Sequence, residues 1–265
     1  MAKKVTVSTL AKRHAAGEKL VMVTAYDAPG AAAAAKAGID FLLVGDSLAM
    51  TVLGYQNTLP ATMEEMIHHC KAVRRGAPDA FIVFDMPFMS YQVSLEKAIE
   101  NAGWAMKESG ADAVKFEGGA EYAPLIRRLV DAGIPVLPHI GLLPQRIQAV
   151  GSYKVTGRGD DAKRLLADAK AFEEAGAFAI VLECVSRDAA GMITESISIP
   201  TIGIGSGPEC SGQVQVFHDI IGMFDGFTPK HSRRYAEAGK VITDALGAYA
   251  RDVREGTFPG DENCF

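Results

Sequence analysis

Three carboxylates, Asp46, Asp85 and Glu117, each stand directly after an apolar run of strand length (Phe41–Gly45, Ala80–Phe84 and Ala113–Phe116). Acids brought together without compensation repel one another, and some are driven to protonate. A divalent cation removes that conflict. Ligation by oxygen alone, with no accompanying histidine or cysteine cluster, favours Mg2+ over zinc or copper. One such acid read alone is as well explained by a helix cap or an arginine partner; three on consecutive runs favour the cation. Lys115 lies two residues before Glu117, so both side chains leave a strand on one face. It suggests either a Schiff-base nucleophile or a fixed positive charge. Neighbouring carboxylates favour the ammonium, so the fixed charge is preferred, with a plain ion pair to Asp85 or Glu117 as the simpler alternative. Glu183 closes the run Ala179–Leu182; a carboxylate among apolar neighbours is raised toward neutrality and suits a general base, unless it only caps the next helix. His139 is read either as a hydrogen-bond partner for a substrate oxygen or as a core histidine.

The elements that must carry these residues recur along the chain. Further apolar runs fall at Leu20–Ala25, Pro135–Pro138 and Pro200–Ile204, with a weak eighth near Gly226–Thr228. They are continuous rather than alternating, as expected of parallel strands buried on both faces. Helical stretches lie between them. Thr62–Arg75 opens with Thr62 and Glu65 at capping-box spacing. Ser94–Ser109, Ala123–Ala132 and Asp161–Ala175 each end at a glycine. A doubly wound sheet shares these signals, but eight units close a barrel. The residues ending the runs are Tyr26-Asp27, Asp46-Ser47, Asp85, Glu117, His139, Glu183, Gly205-Ser206 and Lys230. In a parallel barrel they converge on the face where such enzymes keep their chemistry. The expectation is one (β/α)8 barrel domain over residues 1–265.

Bulk properties set the class. With 265 residues, 48% of them hydrophobic, the chain can bury a large core. Net charge is −5 with no basic stripe, so nucleic acid is not expected as a partner. No run approaches a membrane span. The four cysteines form no CxxC pair and read as reduced thiols of a cytoplasmic protein. Gly203-Ile-Gly205-Ser-Gly207 lacks dinucleotide-motif spacing and reads as close packing at a barrel rim. Thr51–Pro60 has the composition of either a mobile loop or a static rim.

In order along the chain stand VTAYDAP, LLVGDSLAMTVLGYQNTLPAT, CKAVRRGAP, FDMPFMSY, AVKFEGG, SYKVTGRGD, IVLECV, IPTIGIGSG and EGTFPGDE. From about residue 5 onward these segments resemble ketopantoate hydroxymethyltransferases, and VGDS followed by MTVLGYQNTLP is the most specific of them. The resemblance implies a barrel of the phosphoenolpyruvate mutase-like type and a homo-oligomer, often a decamer. It also implies transfer of a one-carbon unit from 5,10-methylenetetrahydrofolate to 3-methyl-2-oxobutanoate with Mg2+. Asp46, Asp85 and Glu117 would serve the metal. Asp46, Ser47, Asp85 and Lys115 would meet the oxoacid, and Glu183 would accept the proton. Ala49, Leu143, Cys210-Ser211 and Asn263 depart from the family pattern, at positions that are not inferred ligands. The rival readings are a Mg2+-dependent 2-oxoacid lyase or mutase, which commonly carries a gating-loop cysteine absent from Thr51–Pro60, a Schiff-base aldolase through Lys115, and a barrel without catalysis.

Overall fold

The computed structural model describes residues 4–151, 154–225 and 228–265. Eight parallel strands close a barrel in sequence order: β1 (Leu20–Thr24), β2 (Phe41–Val44), β3 (Phe81–Asp85), β4 (Ala113–Glu117), β5 (Val136–Gly141), β6 (Ile180–Glu183), β7 (Thr201–Ile204) and β8 (Gly212–Gln215). Strand β8 pairs with both β7 and β1. Strands β2, β3 and β4 are buried at every position. This is why their sequences are unbroken apolar runs rather than alternating ones.

The period of two along each strand still matters, because it separates barrel interior from helix-facing exterior. The interior cluster takes Phe81 and Val83 from β3, Ala113 from β4, Leu137 from β5 and Val181 from β6. Two residues further along those same rows come Asp85, Lys115, His139 and Glu183, with Glu117 two beyond Lys115. Apolar layers therefore fill the lower barrel, and the same rows turn polar at the C-terminal mouth.

The helices that brace the strands obey their local signals. Helix Met63–Gly76 has the capping box: Thr62 Oγ1 accepts from Glu65 N at 3.2 Å, and Glu65 accepts from Thr62 N at 2.9 Å. Ser94 caps Leu95–Ser109, which ends at Gly110 in the left-handed region (φ 77°). Asp27 accepts from Gly30 N and caps Ala28–Lys36, so its place after β1 is a structural one.

The eighth strand lies elsewhere than the sequence reading put it. The run near Gly226–Thr228 falls partly on residues outside those described, Thr228 is not in a strand, and Lys230 is in a turn rather than at a strand end. The true β8, Gly-Gln-Val-Gln, lacks an apolar run because it alternates buried and half-buried positions. It also follows β7 closely, with no helix between them. Gly212 is required there: a Cβ would stand 2.4 Å from the Leu20 carbonyl oxygen and 2.9 Å from Ile202 Cδ1.

The chain divides into two compact units, Met1–Val216 and Phe217–Phe265. The barrel occupies the first. The second contains the helix Ala238–Glu255, none of whose residues is buried. Among the described residues, no helix is long and apolar enough to cross a membrane. Gly212→Ala should cost about 1–3 kcal/mol or more, as overpacking against rigid backbone does. A lowered midpoint in urea denaturation would register this.

Candidate active site

Strand register places Asp85 beside Lys115 and Glu117 beside His139. Lys115 Nζ donates to Asp85 Oδ1 at 2.8 Å and to Oδ2 at 2.9 Å. The backbone amide of Asp46, two residues beyond β2, donates to Asp85 Oδ2 at 3.2 Å, which ties two like-charged residues together. His139 stands between the remaining two acids. Its Nδ1 is 3.7 Å from Glu117 Oε1 and its Nε2 is 3.4 Å from Glu183 Oε2. Neither contact has hydrogen-bond geometry: Glu117 Oε1 and both ring nitrogens are buried without a partner. Gly141 is the β6-facing neighbour of Glu183, and its left-handed backbone (φ 102°) leaves room where a Cβ would strike the Glu183 carbonyl at 2.3 Å. Cys184, directly after Glu183, also has positive φ (47°). For a non-glycine residue this is a strained conformation of the kind that gathers at functional sites.

One ammonium serves four carboxyl groups. Burial by itself would lower Lys115, but Asp85, Glu117 and Asp46 together hold it above the ordinary lysine value. It is therefore a fixed cation, not a free amine, and the Schiff-base role loses its nucleophile. Burial raises Asp85, with Lys115 opposing and Asp46 adding to the shift. Burial also carries Glu117 well above its usual range, against Lys115 and with Asp46, Asp85 and Glu183 reinforcing it. Glu183 is pushed up to about 8, chiefly by burial, with Lys115 opposing and Asp46 and Asp85 contributing. His139 moves the other way. Burial and then Lys115 press it well below 6.5, so the imidazole is neutral and its two acid contacts are not ion pairs.

Asp46, Asp85, Lys115, Glu117, His139 and Glu183 thus meet at one mouth, as their strand-end positions implied. Ser47 lies at its edge, with its hydroxyl 2.8 Å from Tyr26 Oη. Among the described residues, no three His, Cys, Asp or Glu side chains already stand at cation-binding spacing; Lys115 takes both oxygens of Asp85 instead. Two participants were not read from the sequence. Gln145, in the turn Pro144–Arg146 after β5, and Tyr91, in the loop after β3, are buried polar residues hydrogen-bonded into the acidic cluster. Tyr91 falls inside FDMPFMSY, but nothing in its type or spacing marks it. The glycines of 203–207 do serve packing: a Cβ on Gly203 would lie 2.9 Å from Cys210 Sγ. Ser206 Oγ donates to the Leu182 carbonyl at 2.7 Å and accepts from Val185 N at 3.0 Å, fastening β7 to β6.

A closed parallel barrel that collects acids, one ammonium and a neutral imidazole at a single mouth has the architecture of a (β/α)8 barrel enzyme. Solved structures share the fold. A 2,3-dimethylmalate lyase, a member of the PEP mutase/isocitrate lyase superfamily, superposes with a TM-score of 0.61 at 18% identity, covering 98% of this chain and 91% of its own. A phosphonopyruvate hydrolase in complex with oxalate and Mg++ gives 0.60 at 13% identity, covering 97% and 93%. The sequence narrows the class further. The family model for ketopantoate hydroxymethyltransferase matches residues 4–261. The 3-methyl-2-oxobutanoate hydroxymethyltransferase of Carboxydothermus hydrogenoformans is 55% identical over 263 residues, 99% of this chain and 95% of that one. The chain belongs to the ketopantoate hydroxymethyltransferase family, and it is a transferase.

The raised acids have a consequence for stability. Glu183 keeps its proton to about 8 in the folded state and releases it near 4.5 when unfolded. The native state therefore binds more protons between those values, and stability falls as pH rises through that window. Metal-stripped protein should lose at most roughly 3–5 °C of melting temperature per pH unit from this one group. Thermal melts between pH 5 and 8 should show this slope, and Glu183→Gln should flatten it.

Proposed function

We propose that this chain transfers a hydroxymethyl group from 5,10-methylenetetrahydrofolate to 3-methyl-2-oxobutanoate, giving 2-dehydropantoate, with Mg2+ as cofactor. The observation that carries this reading is the separation of two charge environments at one mouth. Asp46, Asp85 and Glu117 gather with the one ammonium, Lys115, which is bonded to Asp85. Glu183 stands apart from them across neutral His139, and burial raises it to about 8.

The residues fit a hard divalent cation by charge and by donor type. Asp46, Asp85 and Glu117 offer only oxygens, Lys115 is bonded to Asp85 alone among them, and Glu117 Oε1 is buried without a partner. These three would hold the ion. When bound, it supplies Lewis acidity toward the oxygens of an oxoacid. The fold neighbour in complex with oxalate and Mg++ supports a metal at this kind of mouth.

Within this chain, Lys115 presents a fixed positive charge to a substrate oxygen on which negative charge grows. Glu183, with its affinity for protons brought near neutrality, takes the proton from C3 of the oxoacid. Neutral His139 has no charge to neutralise Glu183, and it packs at 3.4 Å to fix the direction of its carboxyl group. Water opens the methylene bridge, breaking both of its carbon–nitrogen bonds and protonating both nitrogens, so that tetrahydrofolate leaves and a one-carbon aldehyde remains; the carbanion at C3 adds to that carbon, and its oxygen takes a proton to become the hydroxyl. Ser47 and His139 are assigned to hydrogen-bond the oxoacid.

The test follows the C3 proton of 3-methyl-2-oxobutanoate by NMR in D2O. Exchange should occur with Mg2+, stop with EDTA, and fall by about 10²–10⁴-fold in Glu183→Gln. Silence of the intact enzyme even with Mg2+ and tetrahydrofolate would sink the assignment.

We further infer that the protein self-associates, to a decamer, in the cytoplasm. Four free thiols, Cys70, Cys184, Cys210 and Cys264, support a reducing compartment. The helix Ala238–Glu255 supports the assembly, because it exposes Ile242, Leu246, Tyr249 and Val253 along one stripe, a patch that usually finds a partner. Light scattering should return a mass near ten times 28.1 kDa, and Leu246→Glu should shift it toward smaller species.

A further inference from the structure

Gln145 is 3% exposed, and its amide is fully committed. Nε2 donates to Asp46 Oδ2 and to the Met86 carbonyl, both at 3.0 Å. Oε1 accepts from Tyr91 Oη at 2.8 Å and from Gln92 Nε2 at 3.0 Å. The backbone N–H of the same residue donates to Glu117 Oε2 at 3.0 Å. A side-chain amide has two donor hydrogens and one oxygen with two lone pairs, so nothing is left over. The network also fixes which way the amide faces, since a flipped group would set its oxygen against two acceptors. Tyr91 Oη, beyond its bond to Gln145, accepts the Glu117 backbone N–H at 3.1 Å.

One residue on the β5 turn therefore joins an acid that follows β2 to an acid that ends β4. Asp46 and Glu117 are like-charged when ionised, and Asp46 adds to the burial that holds Glu117 well above its usual range. Each gives one oxygen to Gln145. For Glu117 the other oxygen remains buried and unpartnered. Without the amide and its adjoining N–H, either carboxyl group could rotate away from its like-charged neighbour.

We propose that Gln145 is the positioning residue of the acidic mouth, holding Asp46 and Glu117 at the spacing and orientation in which their uncommitted oxygens receive one divalent cation. Tyr91 fixes Gln145 in turn. The inference rests on the reading of this mouth as a divalent-cation site. It predicts that Gln145 acts on metal affinity through two other side chains without touching the ion.

The experiment measures Mn2+ binding to the full-length protein by electron paramagnetic resonance, with no substrate present. Gln145→Leu keeps the bulk and the backbone N–H but removes both polar atoms. Tyr91→Phe removes one hydroxyl and keeps the ring, and it carries the test if the first variant does not fold. Positioning predicts that the Mn2+ Kd rises about 10–100-fold in Gln145→Leu, the range seen when groups supporting metal ligands are removed, and moves the same way by less in Tyr91→Phe. A residue that only supports the fold would lower the melting temperature and leave the Kd of the folded protein unchanged, which overturns the proposal. Failure of the intact protein itself to bind Mn2+ would remove the cation reading and this inference together. Tight wild-type binding matched by the variants removes this inference alone.

Discussion

The mouth of this barrel is organised around a shortage of positive charge. Asp46, Asp85, Glu117 and Glu183 surround one lysine, and that lysine is bonded to Asp85 on both oxygens. Each of the other acids is left to protonate, to find neutral donors, or to await a cation. The neighbouring groups answer this shortage in different ways. The imidazole of His139 is neutral rather than cationic, because burial and Lys115 both act against its second proton. Asp46 and Glu117 are satisfied in part by an amide and a backbone N–H rather than by charge. Glu183 stands across His139 from Glu117, and burial raises it to about 8.

The barrel makes this arrangement possible by separating its layers. Apolar side chains such as Val83, Leu137 and Val181 occupy the rows beneath Asp85, His139 and Glu183. They contribute the burial that holds the strands together, while the polar ends of those rows contribute little of it. The strand ends are rigid elements on which side chains can be held to fractions of an ångström, as converging catalytic groups require. The close packing of Gly141 against the Glu183 carbonyl and the tie from Ser206 to β6 extend this rigidity around the rim.

Much of this was legible in the sequence, for identifiable reasons. Seven strands announced themselves because burial on both faces leaves unbroken apolar runs, and Thr62 with Glu65 marked a helix start that the structure reproduces. The acids were visible because each ends such a run, and strand-end position alone brought the four of them, with Lys115 and His139, to one face. What escaped notice had no such signal. Strand β8 is short, begins with a glycine demanded by the Leu20 carbonyl, and half-exposes its glutamines, so neither an apolar run nor a clear alternation betrays it. Gln145 and Tyr91 lie in loops, where polar residues are ordinary. Their importance comes from contacts made across 99 and 54 positions of sequence, Gln145 to Asp46 and Tyr91 to Gln145, which no local pattern records.

The layering also bears on how such a protein changes over generations. The rows that stabilise the barrel and the residues that perform chemistry occupy different heights of the same strands. The upper layer keeps buried acids that the fold itself does not need and that cost it stability at neutral pH. Neutral replacements there would relieve electrostatic tension and, on the proposed reading of the mouth, abolish turnover. A lineage selected for endurance alone, with no demand for the product, would therefore shed the mouth first and keep the barrel.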